Sequence, residues 1–198
     1  MRKLLSATVV AIAASIGNVA FGLDTYWIGG ASGEFNTDSN WSGGRAPYTA
    51  NYFVHVTNET PVTITFTGGA TIGGITFSGA NHAIVSGRSG STVYIKTGES
   101  GKPRIEVADG LTATVGINVY PVTSNQNGLY KLGKGKLVTK AELGNSARYF
   151  SFLDIEEGEI SHESAGGDSV NVGGDMRIRS GAKFTGVNNN PLQNNTVV

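Results

Sequence analysis

Trp27 and Trp41 are the side chains of this 198-residue sequence best suited to chemistry with a partner, because an indole face left in solvent stacks on a sugar ring. Read as binding residues they form a sugar-stacking pair, with Tyr94 as a further platform. The competing reading is structural and carries more weight: a stack of repeats ends in an open apolar face, and aromatic side chains folded over it close that end. Asp154, Glu156, Glu157 and Glu159 form an acidic cluster. A calcium ion wants about six to eight oxygens, more than one acidic run supplies, so the cluster is expected to be a solvated face and no metal site is assigned. Gly166-Gly167-Asp168 with Gly173-Gly174-Asp175 is faintly similar to calcium-binding nonapeptide rolls, without their internal spacing. His55, His82 and His162 stand far apart, in no metal spacing and beside no nucleophile phrase, so no catalytic residue is assigned. Gly29-Gly30-Ala31-Ser32-Gly33 lacks the following helix whose amides would bind phosphate, and no cofactor is expected.

The elements that must position these residues are short. Runs rich in β-branched and aromatic residues recur, each closed by glycine, asparagine or aspartate. They predict strands at 53–56, 62–66, 74–77, 83–85, 92–96, 104–107, 112–117, 128–131, 136–139, 150–155, 159–161, 170–172, 176–179 and 183–184. Alternation in Val62-Thr63-Ile64-Thr65-Phe66, Ile105-Glu106-Val107 and Met176-Arg177-Ile178-Arg179 buries one face and wets the other, leaving Arg177 and Arg179 on the wet side. Helix is scarce; Lys140-Ala141-Glu142-Leu143 is one candidate turn, closed by Gly144 and Asn145. A glycine phrase punctuates the strands at Ala108-Asp109-Gly110-Leu111, Glu156-Glu157-Gly158-Glu159 and Arg179-Ser180-Gly181-Ala182, at intervals of 48 and 23 residues. Very short strands at roughly 20- to 25-residue repeats suit the rungs of a solenoid better than the longer strands of the alternative, a β-sandwich.

Arg2 and Lys3 precede an uncharged run from Leu4 to Ile16, too short for the roughly 20 apolar residues of a membrane span but the right length for a signal-peptide core. Ala20-Phe21-Gly22 predicts cleavage after Gly22, which leaves no transmembrane segment in the mature chain and implies export: extracellular, cell-surface or periplasmic, from a bacterium. The absence of cysteine removes disulfides and thiolate chemistry, so an exported chain must be held by another device, such as long backbone ladders. Fifteen basic residues balance fifteen acidic ones, scattered and without the basic stripe that nucleic acid requires.

Tyr26-Trp27-Ile28-Gly29-Gly30-Ala31-Ser32-Gly33-Glu34-Phe35, followed by Asn40-Trp41-Ser42-Gly43-Gly44 and Pro47, resembles the opening of the bacterial autotransporter-associated β-strand repeat proteins. Thr71-Ile72-Gly73-Gly74-Ile75-Thr76-Phe77 is similar to that family's first rung, and Gly128-Leu129-Tyr130-Lys131-Leu132-Gly133-Lys134-Gly135-Lys136-Leu137 to its repeat phrase. Phe35 stands where the family usually has a third tryptophan. The resemblance implies a passenger-like solenoid, and without a terminal barrel of alternating strands it does not imply self-secretion.

The expected architecture is therefore an all-β, right-handed parallel β-helix. Residues 1–22 are the signal peptide, 23–60 the N-terminal aromatic cap region, and 61–198 the solenoid rungs, cut off mid-rung at the C-terminus. The expected function is that of a structural or adhesive module without catalytic activity, meeting glycans or host and cell-surface proteins and prone to self-association. The alternative is an extracellular carbohydrate-binding or polysaccharide-degrading β-helix module, for which Trp27 and Trp41 are the ligand-binding residues.

Overall fold

Strands this short cannot bury a face alone, and stacking on a neighbouring coil supplies both hydrogen-bond partners and cover. A computed structural model describes residues 23–96, 101–164, 169–186, 192–193 and 196–197; the segment read as a signal peptide lies outside them. The chain opens with β1 (Leu23–Tyr26) and β2 (Ser32–Glu34), then coils through β3 (Tyr52–Val56), β4 (Thr63–Phe66) and β5 (Gly69–Ile72). The next coils are β6 (Gly74–Phe77), β7 (His82–Ser86) and β8 (Thr92–Ile95), then β9 (Arg104–Val107), β10 (Thr112–Gly116) and β11 (Asn118–Pro121). They continue as β12 (Leu129–Leu132) and β13 (Lys136–Thr139), then β14 (Leu153–Ile155), β15 (Glu159–His162) and β16 (Val170–Asn171). The last described strands are β17 (Asp175–Ile178), β18 (Lys183–Gly186), β19 (Leu192–Gln193) and β20 (Thr196–Val197).

These strands stack into an eight-stranded sheet (β1-β3-β6-β9-β12-β14-β17-β20), a seven-stranded sheet (β18-β15-β13-β10-β7-β4-β2) and a three-stranded sheet (β11-β8-β5). A two-stranded sheet (β16-β19) completes the third side, joined to the three-stranded one through single bridges from Leu143 to Val119 and Val170. The protein is a β-solenoid. Every pairing between these strands is parallel, which rules out the sandwich, since sandwich sheets are antiparallel. Lys140–Leu143 is not helical: Leu143 is a bridge residue, and among the described residues the one helical turn is the 3-10 segment Asp38–Asn40.

Register builds the core. Thr25, Val54, Ile75, Ile105, Lys131, Ile155 and Ile178 stand one above another in the eight-stranded sheet. Burying each aliphatic side chain is worth about 1.5–3 kcal/mol, so such a column is the main source of stability along the axis. The glycine phrases are the corners between the eight- and seven-stranded sheets, where Gly110, Gly133, Gly158 and Gly181 all have positive φ. Gly133 lies between Gly110 and Gly158, so the 48-residue interval is two coils whose middle corner reads Gly133-Lys134-Gly135. At Gly158 (φ 69°) an added Cβ would lie 2.7 Å from the Gly133 carbonyl oxygen, so stacked corners leave no room for a side chain.

The rungs begin earlier than the sequence boundary at residue 61. β1, β2 and β3 are already stacked strands, and the segment that crosses the end runs from Phe35 to Asn51. Its aromatic content masks the short strands on either side. Along its outer edge β1 meets the returning chain antiparallel: Ser42 N donates to Tyr26 O at 2.9 Å, Ile28 N to Asn40 O at 2.8 Å, and Tyr26 N to Ser42 Oγ at 3.0 Å. The end of an otherwise parallel edge, at Tyr26, is thereby denied to a strand from another molecule.

Candidate functional site

Trp27 and Trp41 come together, but inside. They are 3 % and 1 % exposed, with rings 5.2 Å apart at 82°. Trp27 Nε1 donates to Gly30 O at 2.9 Å and Trp41 Nε1 to Phe35 O at 2.6 Å, so the polar edges are satisfied as well. Phe35 packs on Trp41 at 4.9 Å and on Phe66 at 4.7 Å. Sugar stacking needs an open ring face, and neither indole has one. The assignment of Trp27 and Trp41 as ligand-binding residues is corrected accordingly: both are core.

The acidic cluster does not converge on a cation site among the described residues, and three of its four carboxylates, Asp154, Glu156 and Glu159, are each taken up by a neighbouring base. Asp154, 1 % exposed, accepts from Arg179 Nε at 2.9 Å and Nη2 at 2.6 Å. Glu156 pairs with Lys102 at 2.7 Å and holds that ammonium above its ordinary range. Burial works to raise the Glu159 carboxyl, but Lys136 at 3.3 Å and Lys183 at 3.6 Å hold it below its usual range. Gly166 to Asp168 of the roll-like phrase lie outside the described residues, and Asp175 pairs with Arg177 at 3.2 Å. The histidines occupy separate places: His55 meets Asp24 at 2.7 Å, His82 bridges Val62 N and Ser78 O, and His162 meets Thr139 Oγ1 at 2.9 Å inside the stack.

On the outer side of the eight-stranded sheet, Phe53, Gly74, Arg104, Tyr130, Asp154 and Arg177 follow one another in register. Gly74 lets its neighbours close over it, since a Cβ there would meet the Phe53 ring at 3.3 Å and Arg104 Cγ at 3.0 Å. The Arg104 guanidinium lies 4.2 Å from the Phe53 ring centre, Lys102 Nζ 4.5 Å from Tyr130, and the Arg177 guanidinium 5.4 Å from Phe152. Each such contact is worth about 0.5–1 kcal/mol at an exposed site. The strip is aromatic, charge-balanced and stacked upon itself.

The three-stranded sheet presents a different surface. Thr71, Tyr94 and Tyr120 are in register on its outer side, the two tyrosine rings 6.2 Å apart. Tyr120 Oη donates to the Glu142 carboxylate, which also accepts from Asn145 Nδ2 at 3.2 Å. Beyond them two loops stack: Asn125 N donates to Tyr149 O at 2.9 Å, and Ser124 Oγ to Ala147 O. Asn125 is the non-glycine residue with positive φ (57°) among the described residues, a conformation that asparagine tolerates better than most. Between the loops lies an open cleft of about 440 Å³ lined by Val122, Thr123, Ser124, Ala147 and Arg148. Sequence reading singled out Tyr94 here but not Arg148, which sits in a polar stretch with no periodicity.

Lys131 was also missed as a special residue, although its parity in Leu129-Tyr130-Lys131-Leu132 points it inward with Leu129. It is 1 % exposed, between Ile105 and Ile155, and its ammonium donates to the carbonyls of Leu132 (2.9 Å), Gly133 (2.7 Å) and Glu157 (3.2 Å). Burial pushes its pKa down to about 8, with the Glu157 and Glu106 charges acting the other way. Between that value and the ordinary 10.5 the unfolded chain binds a proton that the folded chain does not. The stability of the wild type relative to Lys131→Met should therefore rise between pH 8 and pH 10.5, by up to about 3 kcal/mol. Urea midpoints of both proteins at pH 7 and pH 10.5 check this; a flat or falling difference would contradict it.

The class this geometry defines is a parallel β-solenoid with an aromatic N-terminal closure and side-chain ladders on its outer faces. Comparison with family models, curated proteins and solved structures gives no match.

Proposed function

We propose that this chain is an exported, surface-displayed structural and adhesive β-solenoid that binds through its extended outer surface and does not turn over substrate. The supporting observation is the pairing of three carboxylates of the acidic cluster. General acid or base chemistry needs a carboxyl whose proton is free to move at a reacting atom. Asp154 is held by both fork nitrogens of Arg179, Glu156 by Lys102 and Glu159 by Lys136 and Lys183, which suits a rigid contact face. The uncharged run Leu4–Ile16 after Arg2 and Lys3 supports export, and the likeness of the N-terminal motif to autotransporter-associated repeats supports display.

The test uses the exported protein recovered from culture, applied to immobilised glycans and extracellular proteins, with reducing-end release measured on the same polysaccharides. Saturable binding without release is the expected result. Sustained release of reducing ends, or no binding to any surface in the panel, would overturn the proposal.

A further inference from the structure

We propose that the cleft beside the three-stranded sheet is a binding site for the carboxylate of an acidic sugar, with Arg148 as the recognising residue; this deepens the surface-binding reading and rests on it. Two features fix the guanidinium before any ligand arrives. Arg148 Nη1 donates to Val122 O at 2.7 Å, and the guanidinium lies 5.1 Å from the ring centre of Tyr94. Its own backbone is pinned as well, with Arg148 N donating to Asn145 Oδ1 at 2.8 Å and Arg148 O accepting from Asn145 N at 2.7 Å. A fork held in this way loses little freedom on binding, which is where much of the cost of recognition falls.

The charge is also unspent. Lys102, Arg104, Arg177 and Arg179 each meet a carboxylate, whereas no carboxylate pairs with Arg148 among the described residues. The nearby Glu142 is engaged by Tyr120 and Asn145. The planar guanidinium matches carboxylate and phosphate alike. Arg148 is the sole charged residue lining the cleft, so a single negative charge is matched and a phosphate dianion is not. Thr123 contributes a hydroxyl to the same walls and Val122 and Ala147 contribute apolar surface, a mixture that suits the hydroxyl edge and C–H face of a sugar ring. At about 440 Å³ the cleft falls within the size range of small-ligand sites.

The experiment is calorimetric titration of the full exported chain with trigalacturonate, with its methyl ester, with a sulfated neutral trisaccharide and with an acidic peptide. Trigalacturonate should bind, and the ester should bind at least about tenfold more weakly. Arg148→Gln should lose binding, and Arg148→Lys should lose most of it despite keeping the charge, because an ammonium has no planar fork. The urea midpoint of each variant, recorded alongside, should match the wild type. Equal binding of acid and ester, unchanged affinity in Arg148→Gln, preference for the sulfated sugar or the peptide, or no binding of trigalacturonate would each overturn the assignment. If trigalacturonate fails while Arg148→Gln still adheres to the surface panel, the cleft assignment falls and the surface-binding reading stands.

Discussion

Trp41→Ala should cost about 3–5 kcal/mol, the range for deleting a fully buried large aromatic side chain. Trp41 is enclosed by Trp27 and Phe35, and Phe35 in turn packs on Phe66 of β4. The lost indole therefore opens a void directly over the first coils. The substitution also removes the donor to Phe35 O, leaving that carbonyl unpaired in a dry site. Since a domain is typically stable by only about 5–15 kcal/mol, most of the margin would go, and the exposed end would favour aggregation. Urea unfolding followed by circular dichroism measures the effect. An unchanged midpoint would show that the aromatic segment lies open in solution and would reinstate Trp27 and Trp41 as a sugar platform.

Arg179→Met should be more damaging than Asp154→Asn, although the two residues share one ion pair. The asymmetry lies in burial: the Asp154 side chain is 1 % exposed and that of Arg179 56 %. Removing the guanidinium leaves the carboxylate in the strip without its partner, so the urea midpoint should fall clearly. Removing the carboxylate leaves an arginine that simply reaches into water, and the midpoint should fall less. Unfolding of the two variants and their double mutant completes a cycle. Equal losses, or the reverse order, would mean that Asp154 is hydrated in solution.

Much of the fold is legible in the residues themselves. All fourteen predicted runs coincide with or overlap described strands, because β-branched alternation and glycine breaks are local signals. Those passed over have local reasons. β11 ends in Pro121, which reads as a break, yet β11 is an edge strand of its sheet, where proline is tolerated. β5 opens with Gly69-Ala70, and β2 is Ser-Gly-Glu, neither of which carries a strand signature. The Gly133-Lys134-Gly135 corner falls 23 positions after Gly110 and 25 before Gly158, in phase with both, but its residues differ from those of the other glycine phrases and do not mark it as one of them.

The sequence alone determined that the chain is all-β, where its strands and corners fall, and which way most side chains point, since parity along a strand is a property of neighbouring residues. Only the tertiary structure decided which residues meet. Phe53 pairs with Gly74, 21 positions on, while Gly74 pairs with Arg104, 30 positions on, because the corners absorb insertions without disturbing the ladders. With coil length free to vary, no fixed period reveals that Arg104 lies over Phe53, that Asp154 falls to Arg179, or that Lys131 ends among three carbonyls. The tryptophans turned on the same distinction: their identity marked them as important, and only closure of the chain over its own first coil placed them inside.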